Sequence, residues 1–142
     1  MISQFKDTYR WLSNFYDCIV ELDDKLYPSV EHAYQSAKSD SEDWKLECQT
    51  NISAGTIKRL GKEVEIVDDW ETKKIYIMAK LINQKFNREP FKSFLLATND
   101  EVIQEGNYWG DKFWGVDLKT GEGLNILGKM IMNKRNLLRS KE

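Results

Sequence analysis

The sequence has few of the residues on which metal sites, disulfide scaffolds and membrane spans depend. Its 142 residues include two cysteines (Cys18 and Cys48), one histidine (His32) and two prolines. A single histidine excludes most zinc sites built on paired histidines, and two cysteines in a chain of this length indicate a reduced setting. No apolar run reaches the roughly 20 residues of a membrane span, and the first residues lack the pattern of a signal peptide. We therefore expect a cytoplasmic protein without a metal site and without a membrane partner.

The chain also lacks a surplus of either charge. It carries 21 Lys and Arg against 23 Asp and Glu, for a formal net charge of −2. Non-specific binding of long nucleic acid depends on a strong basic surplus, so this balance argues against it. A nucleotide-sized ligand needs only a local patch of positive charge and is not excluded. The hydrophobic content of 41% predicts a folded core, and the length predicts a single domain over residues 1–142.

Local patterns predict a helix-dominated α+β domain with a small β-hairpin or sheet. Two short β-favouring runs flank Asp23-Asp24 and predict a hairpin over 18–27. Val102-Ile103 is a candidate short strand, and 105–123 reads as irregular chain. Capping serines and the 3.6-residue period of apolar side chains predict helices over 30–38, 41–49, 54–61, 69–87, about 91–97 and 124–139. Strands and helices do not alternate, which is typical of the α+β class rather than of a parallel sheet.

Three details of these helices follow from the same patterns. Ile75 is predicted to widen the apolar stripe of the helix over 69–87. Leu124 is predicted to lie on the buried side of the last helix. Gly61 is predicted to cap the carboxyl end of the helix over 54–61.

The loop from Gly106 to Gly115 is rich in aromatic residues. Trp109, Phe113 and Trp114 lie close together with glycines and Asp111 between them. Flat rings on an irregular segment offer stacking faces to a base, and glycines let a ligand approach the backbone. The alternative is that the three rings pack the core and that the aspartate only makes a turn.

A second glycine-containing loop, Thr120–Asn125, leads into the last predicted helix. The start of a helix presents free N–H groups and the positive end of its dipole, which together can hold a phosphate. Asn125 and Lys129 are four residues apart and share a face, so Lys129 is a candidate phosphate contact. The spacing matches neither the dinucleotide-binding nor the P-loop pattern. A plain helix start is the stronger reading of this segment alone.

The segment from Tyr27 to Lys38 places polar residues on one side of a predicted helix. Glu31, Gln35 and Lys38 share one face, and apolar residues take the other. Glu31 lies in the first turn, where the helix dipole favours an ionised carboxylate. Such a carboxylate stabilises developing positive charge or orients water when it faces a pocket; otherwise it only stabilises its helix. His32 fits a packed or surface histidine better than a catalytic base.

Four segments together resemble the NADAR family of N-glycosidases. They are Trp11–Phe15, Tyr27–Lys38, Asp111–Gly115 and Asn125–Met132, and they occur in the order of that family. The resemblance covers nearly the whole chain. It implies a helix-rich α+β fold and hydrolysis of the N-glycosidic bond between a base-like group and ribose or phosphoribose. The implied substrates are riboflavin-pathway intermediates or ADP-ribosylated guanine, including guanine in nucleic acid, with no metal and no cofactor.

The resemblance also implies a set of site residues. Cleavage at an anomeric carbon builds positive charge on the ribose, so one carboxylate is expected to face that charge and a proton must reach the leaving group. We assign Glu31 to charge stabilisation or water activation and Asp111 to positioning or proton donation, with the reverse assignment open. We expect both residues to converge on one pocket with Trp114 and Asn125. The predicted substrate-binding residues are Asn14, Phe15, Lys38, Trp109, Trp114, Asn125 and Lys129.

Two departures from the family pattern bear on phosphate recognition. The family often has a Gly-Arg pair where this chain has Gly61-Lys62, and many members have a basic residue where this chain has Glu122. A module that binds an ADP-ribose-like nucleotide without cleaving it is the alternative function. Such a binder needs no carboxylate at the anomeric carbon, so the pair Glu31 and Asp111 favours an enzyme.

Overall fold

The computed structural model describes residues 1–141. Short strands and helices alternate with loops throughout this part of the chain, and helix dominates. This arrangement confirms the predicted α+β class. The elements are a 3-10 helix at Asp7–Leu12, β1 (Val20–Leu22), β2 (Lys25–Tyr27), α1 (Val30–Ser36), α2 (Glu42–Cys48), α3 (Ala54–Leu60), α4 (Trp70–Phe86), α5 (Phe91–Leu96), β3 (Gly106–Asn107), β4 (Val116–Asp117) and α6 (Ile126–Arg139).

The residues group into two units. A continuous unit spans Asn14–Lys85, and a discontinuous unit combines Met1–Ser13 with the chain from Phe86 onward. We describe each unit by itself, and the single-domain organisation stays a prediction.

The continuous unit begins with the predicted hairpin. Strands β1 and β2 pair antiparallel, with Val20 opposite Tyr27. Asp23 and Asp24 form the turn with φ angles of 51° and 66°. Two residues in the left-handed region match the twist of a hairpin, and aspartate tolerates that region better than most side chains. The prediction over 18–27 is therefore confirmed.

Three serines begin the short helices of the continuous unit. Ser29, Ser41 and Ser53 each accept a hydrogen bond from the backbone N–H three residues ahead. This contact satisfies one of the free donors at each helix start. Helices α1, α2 and α3 therefore begin where the sequence predicts.

Helix α4 has the predicted position but a narrower buried face. Trp70, Met78, Leu81 and Ile82 are buried, whereas Ile75 is 41% exposed. The prediction that Ile75 widens the apolar stripe is wrong. Ile75 lies three positions before the buried Met78, but the turn of the helix around position 75 is exposed to solvent.

Backbone pairing joins the two segments of the discontinuous unit. Ile2 forms an isolated parallel bridge with Ile103, so the predicted strand at 102–103 is reduced to one bridge. Strands β3 and β4 pair parallel, with Gly106 opposite Val116. The prediction that 105–123 is irregular is therefore wrong for this pair of strands. Tight packing at the glycines brings the two halves of the segment together.

Helix α6 completes the discontinuous unit. Leu127, Ile131 and Leu138 are buried as predicted. Leu124 is 53% exposed, because the helix begins only at Ile126, and its predicted burial is wrong. Within residues 1–141, no helix is long and apolar enough to cross a membrane.

Candidate active site

Glu31 is a buried carboxylate at the start of α1. Its side chain is 6% exposed, and its backbone N–H donates to the carbonyl of Asn14 over 3.0 Å. One turn further along, the Nε2 amide of Gln35 donates to Glu31 Oε2 over 2.6 Å. All seven residues of α1 are buried, so the polar face predicted from the sequence is not a solvated face. Burying a carboxylate is costly unless partners stabilise it, so a surface charge that only stabilises its helix does not describe Glu31.

Two amide oxygens near Glu31 are buried without a hydrogen-bond partner among the described residues. They are Asn14 Oδ1 and Gln35 Oε1, on side chains that are 8% and 2% exposed. The Nδ2 group of Asn14 donates to the sulfur of Met78 over 3.4 Å, a weak contact. Buried polar atoms are almost always satisfied, so such acceptors call for an explanation. The hydroxyl groups of a bound sugar are donors of the kind that Asn14 Oδ1 lacks, whereas Gln35 Oε1 lies against Gly61.

Lysine side chains from several elements surround the end of α1. Burial lowers the pKa of Lys38, and the charges of Lys58, Lys62 and Lys74 lower it further, while Glu31 opposes them. These charges act on one another within the continuous unit, and Lys74 is also paired with Glu71 in an ion pair. A local excess of lysines of this kind favours an anion nearby.

Phe15 lies beside this positive charge. Its ring is 43% exposed, and Lys58 Nζ is 5.8 Å from the ring centroid. The predicted contact of Phe15 with substrate stays a prediction.

His32 has both ring nitrogens engaged. Its Nε2 lies 2.6 Å from the carbonyl oxygen of Ile52, and its Nδ1 lies 2.6 Å from Ser29 Oγ. A carbonyl only accepts, so Nε2 carries the proton and the Ser29 hydroxyl donates to Nδ1. His32 therefore ties α1 to the chain before α3 and is a packed residue, as the sequence suggests.

Asp111 organises a turn in the discontinuous unit. Its Oδ1 accepts from the backbone N–H groups of Phe113 and Trp114 over 3.0 and 2.9 Å. The side-chain amide of Asn107 in turn bonds both the N–H and the carbonyl of Asp111, each over 2.9 Å. The turn-making alternative is therefore present. A catalytic role for Asp111 stays a prediction. In that role Oδ1 would keep its two backbone hydrogen bonds in the turn.

The aromatic residues of the same loop do not form a core. Trp109 is 64% exposed, so the alternative that packs it in the core is wrong. Phe113 and Trp114 are half-buried and contact each other edge to face, with centroids 4.8 Å apart. The loop therefore carries ring surface that solvent or a ligand reaches.

Asn125 uses both ends of its side-chain amide to hold the backbone. Its Oδ1 accepts from the N–H of Glu105 and its Nδ2 donates to the carbonyl of Ile103, each over 3.0 Å. A Cβ at Gly128 would overlap both Asn125 Oδ1 and that carbonyl, so the glycine makes this brace possible. The predicted ribose contact of Asn125 stays a prediction, and it would compete with these bonds.

The predicted phosphate contact at α6 has both positive and negative side chains in its surroundings. Lys129 is exposed, whereas Glu122 pairs with Lys112 over 3.1 Å. The carboxylate in the glycine-containing loop is thus partly neutralised by Lys112 of the aromatic loop 106–115. A phosphate site here also stays a prediction.

The structure brings the predicted residues together in two groups. Asn14, Glu31 and Lys38 belong to the continuous unit, and Asp111, Trp114 and Asn125 belong to the discontinuous unit. Convergence of the two groups on one pocket stays a prediction. Within residues 1–141, no group of three or more His, Cys, Asp or Glu side chains is arranged to hold a metal ion.

Sequence reasoning missed the contribution of Lys58 and Lys74 to the positive charge and the contact from Gln35 to Glu31. The i to i+4 spacing of Glu31 and Gln35 is a usable signal, because such residues are neighbours on a helix. The spacing of four between Lys58 and Lys62 is another. Nothing in the sequence pairs Lys74 with this region.

The chain is similar to known proteins in both sequence and fold. The family model described as NADAR domain matches residues 2–139. N-glycosidase YbiA of Escherichia coli is 30% identical over 135 residues, which cover 93% of this chain and 83% of YbiA. A riboflavin biosynthesis protein of Vibrio vulnificus is 31% identical over 135 residues, and the match spans only 36% of that longer protein. The NMR structure of E. coli YbiA superposes with a TM-score of 0.82 at 28% identity and covers 99% of this chain and 88% of that one. The chain therefore belongs to the NADAR domain family.

Proposed function

We propose that this protein is an N-glycosidase that hydrolyses the bond between a base-like group and ribose or phosphoribose. The observation that carries the proposal is the buried Glu31 carboxylate, which accepts a hydrogen bond from Gln35 Nε2. The backbone of Glu31 also contacts that of Asn14, whose side-chain oxygen is buried without a partner among the described residues. Relatives named N-glycosidase support a hydrolase of this general kind. The name of the V. vulnificus relative supports substrates from riboflavin biosynthesis.

The proposed reaction breaks the C–N bond at the anomeric carbon. Positive charge develops on the ribose ring as the bond to the base lengthens, and the negative charge of Glu31 stabilises it. Water adds its oxygen to the anomeric carbon, and one of its protons leaves to a base, for which Glu31 is also suited. The leaving nitrogen takes a proton from an acid, the role we assign to Asp111. These steps use carboxylates and do not require a metal.

The surroundings of Glu31 suit a phosphorylated sugar. Asn14 Oδ1 is an acceptor for a ribose hydroxyl, and the positive charge around Lys38 suits a phosphate group. We propose two substrate classes on this basis, riboflavin-pathway ribosyl phosphates and ADP-ribose attached to guanine. Trp109 and Trp114 are the proposed stacking surfaces for the base.

Incubation with both substrate classes tests the proposal. The purified protein should release free base and a ribose phosphate or ADP-ribose from at least one class, separated by chromatography. The same chain with Glu31→Gln is the matched control and should release neither. If ADP-ribose binds in calorimetry while no substrate of either class is cleaved, the protein is a nucleotide-binding module and not a glycosidase.

A further inference from the structure

The side chain of Gln35 occupies a space that only a glycine at position 61 leaves open. Gly61 ends α3 with a φ of −61°, an ordinary right-handed value that any residue adopts. The predicted cap is therefore in place, but the backbone does not require glycine there. A Cβ at this position would overlap Gln35 Oε1 and lie 3.0 Å from Gln35 Cδ. The glycine is needed because of the glutamine side chain.

The rest of Gln35 is fixed in the same way. Its side chain is 2% exposed, and its backbone carbonyl accepts from the indole N–H of Trp44 over 2.8 Å. Its amide oxygen has no hydrogen-bond partner among the described residues. Hydrogen bonding of this oxygen therefore does not explain the position of the side chain. Within residues 1–141, the one hydrogen bond that the side-chain amide makes is the 2.6 Å contact from Nε2 to Glu31 Oε2. A carboxylate only accepts hydrogen bonds, which sets the amide with Nε2 toward Glu31 and Oε1 toward Gly61.

We propose that Gln35, accommodated by Gly61, is a positioning residue that fixes the Glu31 carboxylate and holds it ionised for the reaction. This inference rests on the proposed function for its catalytic meaning. A donor that binds the charged form of a carboxylate favours that form. Exchanging the positions of Gln35 Nε2 and Oε1 would place the amide oxygen against Glu31 Oε2, and two acceptors would face each other. The orientation that directs Nε2 to Glu31 therefore leaves Oε1 without a donor.

Other charges near Glu31 act in parallel and must be held constant in a test. Lys38 lies just after α1, and the negative charge of Glu31 raises its pKa against the lowering by burial. Burial raises the pKa of the Cys48 thiol in α2 to about 12, so this group is neutral near pH 7. The charges that act on Lys38 come from Lys58 in α3, Lys62 just after it, and Lys74 in α4. Among the described residues, none of these groups forms a hydrogen bond with the side-chain amide of Gln35.

The variant Gln35→Met isolates the donor. Methionine has a similar length and no N–H group, and it also removes the unsatisfied oxygen, so the fold should persist. A hydrogen bond to a charged group corresponds to roughly 10–100-fold in an equilibrium. The pKa of Glu31 should therefore rise by about one to two units, and the acid limb of the kcat profile should move to higher pH by the same amount. KM should change less than kcat, because Gln35 acts through Glu31.

Gly61→Ala tests the same inference from the other side. Its methyl group displaces the Gln35 amide while leaving every side chain near Glu31 in the sequence. It should move the pKa of Glu31 and the acid limb in the same direction. Ser36→Ala is the matched control: it removes the hydroxyl that donates to the carbonyl of Ala33 over 2.6 Å in the same helix. This control should lower the melting temperature and leave the pH profile unchanged.

A carbon-13 NMR titration of the Glu31 carboxyl group measures the pKa without substrate. A folded Gln35→Met protein with the wild-type Glu31 pKa overturns the inference, and if that variant does not fold, an unchanged pKa in Gly61→Ala does so. Wild-type protein that cleaves neither substrate class contradicts the proposed function instead, because the titration still shows whether Gln35 holds Glu31 ionised. A rise in both variants, absent in Ser36→Ala, supports the inference.

Discussion

Replacing Glu31 with glutamine should abolish turnover and leave the fold intact. Glutamine keeps the length of the side chain and keeps an oxygen that accepts from Gln35 Nε2, now 2.6 Å from Glu31 Oε2. It removes the negative charge that we place opposite the developing charge on the ribose. Losing one such electrostatic contribution typically lowers kcat by roughly 10²–10³, or about 3–4 kcal/mol. We expect a loss of this size for Glu31→Gln.

The effect on stability should be much smaller. A carboxylate in the first turn of a helix contributes about 0.3–1 kcal/mol through the dipole, and this contribution is lost. The hydrogen bond from Gln35 changes from a charge-assisted to a neutral one, which weakens it. Burying a neutral amide in place of a carboxylate that is only 6% exposed works in the opposite direction. The melting temperature should therefore move by no more than a few degrees.

Glu42→Gln is the matched control for this experiment. Glu42 begins α2, a helix of the same length as α1 that is also capped by a serine, but its side chain is 72% exposed. This variant loses a helix-terminus charge and an exposed ion pair with Lys25 at 3.6 Å, and it leaves Glu31 unchanged. Single-turnover rates and melting temperatures should be measured for both variants on a substrate that the wild type cleaves. A folded Glu31→Gln protein with a rate near that of Glu42→Gln would refute the catalytic assignment of Glu31.

Three further changes test other parts of the structure. Asp111→Ala should lower the free energy of unfolding by about 1 kcal/mol, because two backbone N–H groups lose their acceptor; Asp111→Asn should keep the melting temperature and lose turnover, and a normal kcat would remove Asp111 from the mechanism. Burial lowers the pKa of Lys85 to about 8 from 10.5, so the unfolded chain holds more protons between these values and stability should rise with pH across them, by up to about 3 kcal/mol. Lys85→Met should remove this rise, and identical pH slopes in urea unfolding of the two proteins would contradict it. Ser29→Ala should cost about 1–2 kcal/mol, because the hydroxyl both caps α1 and donates to His32. The exposed cap Ser53→Ala should cost less, and equal losses in urea would show that the histidine contact adds nothing.

The sequence was informative wherever the signal is local. The three serine caps, the Asp23-Asp24 turn and the period of α6 depend on contacts within a few residues, and the structure has each of them. Their physics is contained in the segment itself, because a cap needs only a hydroxyl and an N–H three residues ahead. The starts of α1, α2 and α3 and the α+β class could therefore be predicted, whereas α6 begins two residues after the predicted start at 124.

Properties that depend on distant contacts could not be predicted in the same way. The 3.6-residue period placed Ile75 inward, but the elements that pack against the helix decide how wide an apolar stripe is buried. The predicted position of the Gly61 cap was right, but the predicted reason for a glycine there was wrong. The glycine makes room for a side chain 26 positions earlier. The parallel pairing of β3 with β4 was missed because strands of two residues carry no periodicity.

The candidate site shows the same division. Glu31 could be singled out by its place in a helix and by the resemblance to a family. Its burial and the unsatisfied oxygen of Asn14 could not, because both depend on packing between elements. Asp111 shows the opposite case, since the turn that its carboxylate makes is local and was already the simpler reading.

The chain order of the two units has a consequence for protein synthesis. Ile2 exchanges backbone hydrogen bonds with Val102 and Gln104, so the segment around Ile2 awaits partners made about a hundred residues later. Asn14–Lys85 is continuous and complete before that point. At roughly 5–20 residues per second, residues 86–104 follow over about 1–4 s. We expect nascent chains stalled after α4 to protect Glu31 and its neighbours from protease while residues 1–13 are still cleaved.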